Sequence, residues 1–267
     1  MVAQLFIVKD KIFMIEKFLT TANELADSAG EIARSYFRKQ VSSSMKDAKS
    51  LVTEADCKIE RTIRDMIKMS FSDHGILGEE YGIENKDNEY LWVLDPIDGT
   101  NSFICGKPTF CTLIALLHNN KPILGIIDQP ITNERWVGEA GKITKFNNEQ
   151  CSQNSSSLIR LNCTSPLLFS KTQKIIFEKV EKIVDISCYG GDGYAYGLLA
   201  SGHIEVIMEA GLQFYDVAAL IPIIEGAGGK ITDWSGRAIR QEIFDGTIIA
   251  AKSTEMHTKI LNYILTK

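Results

Sequence analysis

Two carboxylates three residues apart, Asp95 and Asp98, stand in the hexapeptide Asp95-Pro96-Ile97-Asp98-Gly99-Thr100, directly after the apolar run Leu91-Trp92-Val93-Leu94. Hard divalent cations such as Mg²⁺ select carboxylate oxygens and keep water and substrate phosphate in their remaining positions. The apolar run reads as a buried strand, so both carboxylates arrive at its end, next to a turn. Pro96 removes a backbone donor, Gly99 permits close backbone approach, and Thr100 can open a helix whose N–H groups face an anion. The pattern suits a metal-assisted phosphoryl-transfer site, although an Asp-rich turn capping a strand would use the same residue types.

Further acidic residues stand at the ends of segments, where side chains from separate elements can meet. Asp56 follows Leu51-Val52-Thr53-Glu54-Ala55, Glu79 and Glu80 follow Gly78, and Asp216 follows Phe214-Tyr215 and precedes an apolar helical run. Each has a plainer use: Asp56 and Asp216 as helix caps, Glu79 and Glu80 in a surface loop. Taken with Asp95 and Asp98 they supply enough anionic oxygen for two or three Mg²⁺ ions.

The chain of 267 residues, 45% apolar and 24% charged, is ordinary for a soluble globular protein. A net charge of −5 with no Lys/Arg cluster argues against nucleic-acid binding. Residues 1–19 mix Lys9, Asp10, Lys11, Glu16 and Lys17 among apolar positions, which fits neither a signal-peptide core nor a membrane span, so the expected location is the cytoplasm. The six cysteines form no Cys-x-x-Cys pair and are expected to be mostly buried thiols, while the four histidines are scattered, so any metal should have oxygen ligands.

The elements that must position these residues follow from periodicity. Apolar residues at three- and four-residue steps predict a long helix over 12–37, and Ile59, Ile63 and Ile67 mark a second over 55–70. Residues 42–50 read as a polar loop containing Lys46, whose charge could lie near the metals. Runs at 112–117, 123–127 and 135–138 predict an antiparallel meander. The polar stretch 147–157 predicts a boundary, dividing the chain into lobes at 1–150 and 151–267. Beyond it, strands at 183–188, 203–208, 229–233 and 247–251 alternate with helices at 194–201, 216–225 and 254–265, as in an α/β layer.

Four separated motifs occur in the order found in the inositol monophosphatase family: Val52-Thr53-Glu54-Ala55-Asp56, Gly78-Glu79-Glu80, the hexapeptide at 95–100, and Tyr215-Asp216 followed by Ala218-Ala219 and Gly226-Ala227-Gly228-Gly229. The chain resembles that family from its first helix to about Trp234. The resemblance implies an α+β fold, a layered αβαβα sandwich with an antiparallel N-terminal lobe and an α/β C-terminal lobe. It also implies a magnesium-dependent phosphomonoesterase, with Glu79, Asp95 and the Ile97 carbonyl on one metal and Asp95, Asp98 and Asp216 on a second. Asp56, Glu79 and Thr100 would be catalytic, Asp56 and Thr100 orienting the attacking water, and the N–H groups of Gly99 and Thr100 would hold the phosphate. A homodimer acting on a small phosphorylated metabolite is implied as well.

Within the family, the flanking residues 101–108, Gly125-Ile126-Ile127-Asp128-Gln129-Pro130, 134–138, 189–196 and 209–212 resemble the histidinol-phosphate phosphatase branch. L-Histidinol phosphate carries an amine and an imidazole, so carboxylates away from the metals should meet it; Glu209 and Asp192 are the candidates, with Asp192 also suited to a glycine-rich turn. Inositol 1-phosphate or a 3'-phosphonucleotide is the alternative substrate, and a catalytically silent phosphate-binding protein the alternative class.

Overall fold

The computed structural model describes residues 2–39, 43–45, 51–152 and 157–266, with side chains for 13–39, 53–152 and 157–266. In chain order the first elements are α1 (Val2–Tyr36), β1 (Ser43–Met45), β2 (Leu51–Thr53), α2 (Glu54–Ser70), β3 (Gly75–Gly78), β4 (Gly82–Glu84), β5 (Tyr90–Asp98), α3 (Thr100–Ile104), β6 (Cys111–His118), β7 (Lys121–Gln129), β8 (Glu134–Glu139), β9 (Lys145–Phe146) and β10 (Glu149–Gln150). They continue with β11 (Arg160–Cys163), a 3-10 turn (Pro166–Leu168), α4 (Lys171–Glu181), β12 (Ile186–Tyr189), α5 (Asp192–Ala200), β13 (Val206–Ala210), α6 (Phe214–Val217), α7 (Leu220–Gly226), β14 (Lys230–Thr232), β15 (Thr247–Ala251) and α8 (Thr254–Leu265).

Five layers result, as the resemblance implied. Along β5 the side chains alternate between two cores. Trp92 and Leu94 join Ile114, Leu116 and Ile126 against Phe18, Ala22, Ala26 and Ala29 of α1 and Ile59, Ile63 and Ile67 of α2. Leu91 and Val93 join Leu113, Ala115 and Ile127 against Tyr196 and Leu199 of α5 and Leu220, Ile223 and Ile224 of α7. The other side of those helices meets Ile207, Ile248 and Ala250 of the second sheet. That sheet's outer face, Val206, Met208, Ile249 and Ala251, is covered by Phe177 and Val180 of α4 and Ile260 of α8. The alanines of α1 bring its backbone near α2, and the three isoleucines of α2, four residues apart, fill the gap.

The first sheet has the order β10-β9-β8-β7-β6-β5-β3-β4 and the second β12-β11-β13-β15-β14. β6 to β8 form the expected antiparallel meander, which β5 extends by pairing antiparallel with β6, but β3 lies parallel to β5, so the first sheet is mixed. In the second, β11 pairs parallel with β12 and β13, and β15 antiparallel with β13 and β14. Among the described residues no helix is long and apolar enough to cross a membrane.

Several boundaries differ from the sequence expectation. α1 begins at Val2 instead of residue 12. Residues 2–11 contain neither Pro nor Gly to stop a helix, while consecutive apolar residues at 5–8 hide the helical period. Ser43–Met45, expected in a loop, pairs with Leu51–Thr53, and Lys46 lies outside the described residues. The single helix expected at 216–225 is split into α6 and α7. Pro222 has no N–H to offer the Ala218 carbonyl four residues earlier, so the ladder is interrupted there. β11 and α4 were not anticipated; α4 buries only Phe177 and Val180, too narrow a stripe to stand out, although its Ser170/Gln173 capping box is a start signal. The cysteines are less buried than expected: Cys111 and Cys163 are buried, Cys57 and Cys151 half-buried, and Cys105 and Cys188 exposed.

Candidate active site

The hexapeptide is not a turn after a strand, because β5 continues through it to Asp98. Pairing with β6 is regular to Asp95 opposite Leu113, and then Asp98 faces Cys111, so β5 carries one extra residue. Three residues apart on a regular strand, Asp95 and Asp98 would point to opposite faces; the bulge turns them to the same side. Pro96 sits in the bulge, where no ladder N–H is needed, and its carbonyl accepts the Thr112 hydroxyl at 2.8 Å. Asp216 joins them from the first turn of α6, and oxygens of Asp95, Asp98 and Asp216 lie within 4.8 Å of one another.

Asp56 and Asp216 also cap their helices, so the plainer use and the site coexist. Asp56 Oδ2 accepts the Thr53 N–H at 3.0 Å and the Thr53 hydroxyl, while Thr53 Oγ1 accepts the N–H of Ala55. Asp216 Oδ2 accepts the Gln213 N–H at 2.7 Å. Each cap occupies one oxygen and orients the other. The second oxygen of Asp56, and Oδ1 of Asp95, are buried without a hydrogen-bond partner. A buried anionic oxygen without a partner is costly.

Crowding and burial shift the acids upward. Burial raises Asp56 to about 6 against the Thr53 hydrogen bonds, and raises Asp216 to about 7, with Glu79 adding repulsion and Asp95 sharing a proton. Asp95 is held well above the carboxylate range by burial and then by the charges of Glu79, Asp98 and Asp216. Asp98 is raised likewise, by burial and then by Asp192, although Gly193 donates its N–H to Asp98 Oδ2. Hard anionic oxygens converging with unmatched charge are the donor set a divalent cation of the Mg²⁺ type fits. Glu79 lies beside this trio, near enough to raise Asp56, Asp95 and Asp216, and its N–H bonds the Leu94 carbonyl of β5 at 3.2 Å.

Gly99 takes φ +87° between β5 and α3, and a Cβ there would stand 2.6 Å from Asp192 Oδ2. The Thr100 hydroxyl donates to the Ile97 carbonyl at 3.2 Å, tying the two predicted oxygens together. Asp192 opens α5 with φ +44° and accepts the Ser102 hydroxyl at 3.2 Å. Asp192 is therefore both the turn residue and a site-facing carboxylate. Glu209, 4% exposed on β13, accepts the Thr164 N–H at 3.0 Å and its hydroxyl at 2.6 Å; burial lifts it to about 7. One cavity is lined by Asp98, Asp192, Glu209 and Asp216, together with Thr164 and Tyr196.

Sequence reasoning did not single out Thr53, Cys111, Thr164 or Gly193. Cys111 Sγ donates to Asp98 Oδ2 at 3.7 Å from the neighbouring strand, and Gly193 reaches the same oxygen because a Cβ would collide with it. The Thr53-x-x-Asp56 spacing of a capping box was a readable signal for Thr53. The other three act across strand pairs or between elements far apart in the chain, where spacing carries no signal.

Comparison with known proteins identifies the family. The profile of the inositol monophosphatase family matches residues 14–266. The bifunctional phosphatase IMPL2, chloroplastic, of Arabidopsis thaliana is 45% identical over 92% of this chain and 75% of its own length. A histidinol-phosphatase of Chlorobaculum parvum is 34% identical over 91% of this chain and 95% of its own. The solved structure of an inositol monophosphatase from Zymomonas mobilis superposes with a TM-score of 0.84 at 41% identity, covering 93% of this chain and 98% of that one. The chain belongs to the inositol monophosphatase family and is a phosphatase.

Proposed function

We propose that this phosphatase hydrolyses L-histidinol phosphate to L-histidinol and phosphate with Mg²⁺ as its cofactor. The observation that carries the substrate is the pair of site-facing carboxylates, Asp192 and Glu209, lining one cavity with Asp98 and Asp216 of the acidic trio. A cationic amine meets anionic partners there, and its charge would offset the burial that raises Glu209. The histidinol-phosphatase relative supports the same reading.

Asp95, Asp98 and Asp216 hold one cation, and Glu79, Asp95 and the Ile97 carbonyl a second. When bound, such ions supply a lowered pKa for water and neutralise charge on the phosphoryl and leaving oxygens. The N–H groups of Gly99 and Thr100 hold the phosphate; the first N–H groups of a helix have no carbonyl of their own helix to bond. Thr100 Oγ1, anchored to the Ile97 carbonyl, orients the attacking water. Asp56 Oδ1, buried and without another partner, accepts the water proton, and a carboxyl raised to about 6 is suited to proton transfer near neutrality. Glu209 and Asp192 bind the leaving alcohol's amine and ring, which keeps the ester oxygen in line with the water.

Inositol 1-phosphate is the second reading, favoured by the 41% identity to the Zymomonas inositol monophosphatase. Phosphate release from the two esters, measured side by side with Mg²⁺, decides between them. L-Histidinol phosphate should have a kcat/KM at least about 10-fold higher, since a site built around a charged group rejects an analogue lacking it. A preference for inositol 1-phosphate overturns the substrate assignment, and undiminished hydrolysis by a folded Asp98→Asn variant overturns the metal assignment.

A further inference from the structure

Beside its apolar stripe, α2 buries a second row of residues four apart: Asp56, Glu60 and Arg64. Glu60 is fully buried and lies outside the acidic trio. Its Oε2 accepts the Glu80 N–H at 2.7 Å, and its Oε1 accepts the Tyr81 N–H at 3.1 Å and Arg64 Nε at 2.8 Å. Arg64 also donates to the Gly82 carbonyl and to Glu84 Oε1, so both ends of the β3–β4 turn are bound to α2. Gly78 leaves the space this requires, because a Cβ there would collide with the Glu60 carboxylate.

Glu79 sits at the start of that turn. On one side its N–H is held by β5, the strand carrying Asp95 and Asp98; on the other, the next two N–H groups are held by the helix carrying Asp56. The carboxylate accepts from the Glu80 and Tyr81 N–H groups and from Arg64, and an apolar residue would leave these donors without that acceptor. What the carboxylate adds is direction, since its two oxygens fix two successive peptide planes.

We propose that Glu60 is the positioning residue for Glu79, setting the carboxylate's approach to the cation from one helical turn beyond Asp56. Cation affinity depends on ligands being held in place before binding, and removing such a supporting partner typically weakens metal binding by roughly 10- to 100-fold. The proposal rests on the reading of Glu79 as a metal ligand, and the experiment separates the two.

Mn²⁺ binding, followed by electron paramagnetic resonance without substrate, is measured on wild type, Glu60→Gln, Glu60→Asp, Glu84→Gln and Glu79→Gln, each checked for cooperative melting. In Glu60→Gln the amide N–H₂ opposes the Glu80 N–H; in Glu60→Asp the charge stays beside Arg64 but the reach is shortened. Both should raise the Mn²⁺ dissociation constant about 10-fold or more and raise the Mg²⁺ concentration for half-activation, with kcat at saturating Mg²⁺ within about threefold of wild type. Glu84→Gln removes an Arg64 partner without touching the turn N–H groups, and its Mn²⁺ binding should be unchanged. If folded Glu60 variants bind Mn²⁺ like wild type while Glu79→Gln binds weakly, the positioning role is wrong and the metal reading stands. If Glu79→Gln itself binds normally, the metal reading fails. Loss of cooperative melting in both Glu60 variants, or equal weakening in Glu84→Gln, assigns Glu60 to stability alone and overturns the proposal.

Discussion

Replacing Asp216 by asparagine should stabilise the metal-free protein while abolishing its activity. The amide side chain can keep the cap, because its carbonyl oxygen can accept the Gln213 N–H that Asp216 accepts at 2.7 Å. What disappears is a charge beside Asp95 and Asp98. A carboxyl that titrates near 7 in the fold and 3.8 outside it corresponds to roughly 4 kcal/mol of unfavourable ionisation above pH 7, at about 1.4 kcal/mol per tenfold. Asp216 is partly exposed and shares its proton with Asp95, so about half of that, ~2 kcal/mol, should be recovered. For a chain of this size that is a Tm increase of roughly 4–8 °C. The sign depends on pH. Between 3.8 and about 7 the folded chain holds a proton that the unfolded chain has released, so the stability of the wild type is lost as pH rises through this window. Melts in EDTA at pH 8 should therefore show the gain, and melts at pH 5.5, midway through the window, should show about half of it. Phosphate release in Mg²⁺ should fall by about 10³-fold or more, since one ligand of the reacting centre is gone. A variant melting at or below wild type at pH 8, or keeping a tenth of its activity, would refute the account of the cluster as charge held ready for a cation.

Two further outcomes are expected. Gly99→Ala places a Cβ 2.6 Å from Asp192 Oδ2 at a φ of +87°, so activity should drop about 100-fold through misplacement of the phosphate-binding turn, with circular dichroism unchanged; near-normal turnover would show that the turn is not a phosphate contact. Because Asp216, proposed to hold a cation, titrates near 7 and Asp56, proposed to accept the water proton, near 6, and both must be ionised to act, activity at limiting Mg²⁺ should fall as pH drops through 7 and then 6. Saturating Mg²⁺ should move that acid limb downward, and pH profiles that coincide at two Mg²⁺ concentrations contradict the competition between protons and metal.

Much of the architecture was legible because each element carried its own period or punctuation. The isoleucines of α2, the apolar strands of the meander and the alternation beyond residue 160 were local signals. α1's first turns were hidden by the consecutive apolar residues at 5–8, and α4 and β11 were not legible because their burial is decided by neighbours: two residues of α4 are buried, and β11 is a four-residue strand placed between β12 and β13. The break between α6 and α7 was in principle readable from Pro222.

By itself the sequence determined which residue types were present to do chemistry: Asp95 and Asp98 beside a Gly-Thr pair, and Asp56 and Asp216 at helix starts with capping spacing. Only the tertiary structure decided that these carboxylates share one side of a strand. That required the β-bulge at Pro96, which cancels the alternation that would have separated Asp95 from Asp98. It also decided what surrounds them, bringing Gly193 and Cys111 to Asp98, Thr164 to Glu209 and Glu60 to the turn after Glu79. Spacing along a chain specifies faces of single elements, whereas a hydrogen bond between elements exists only once packing has placed both partners.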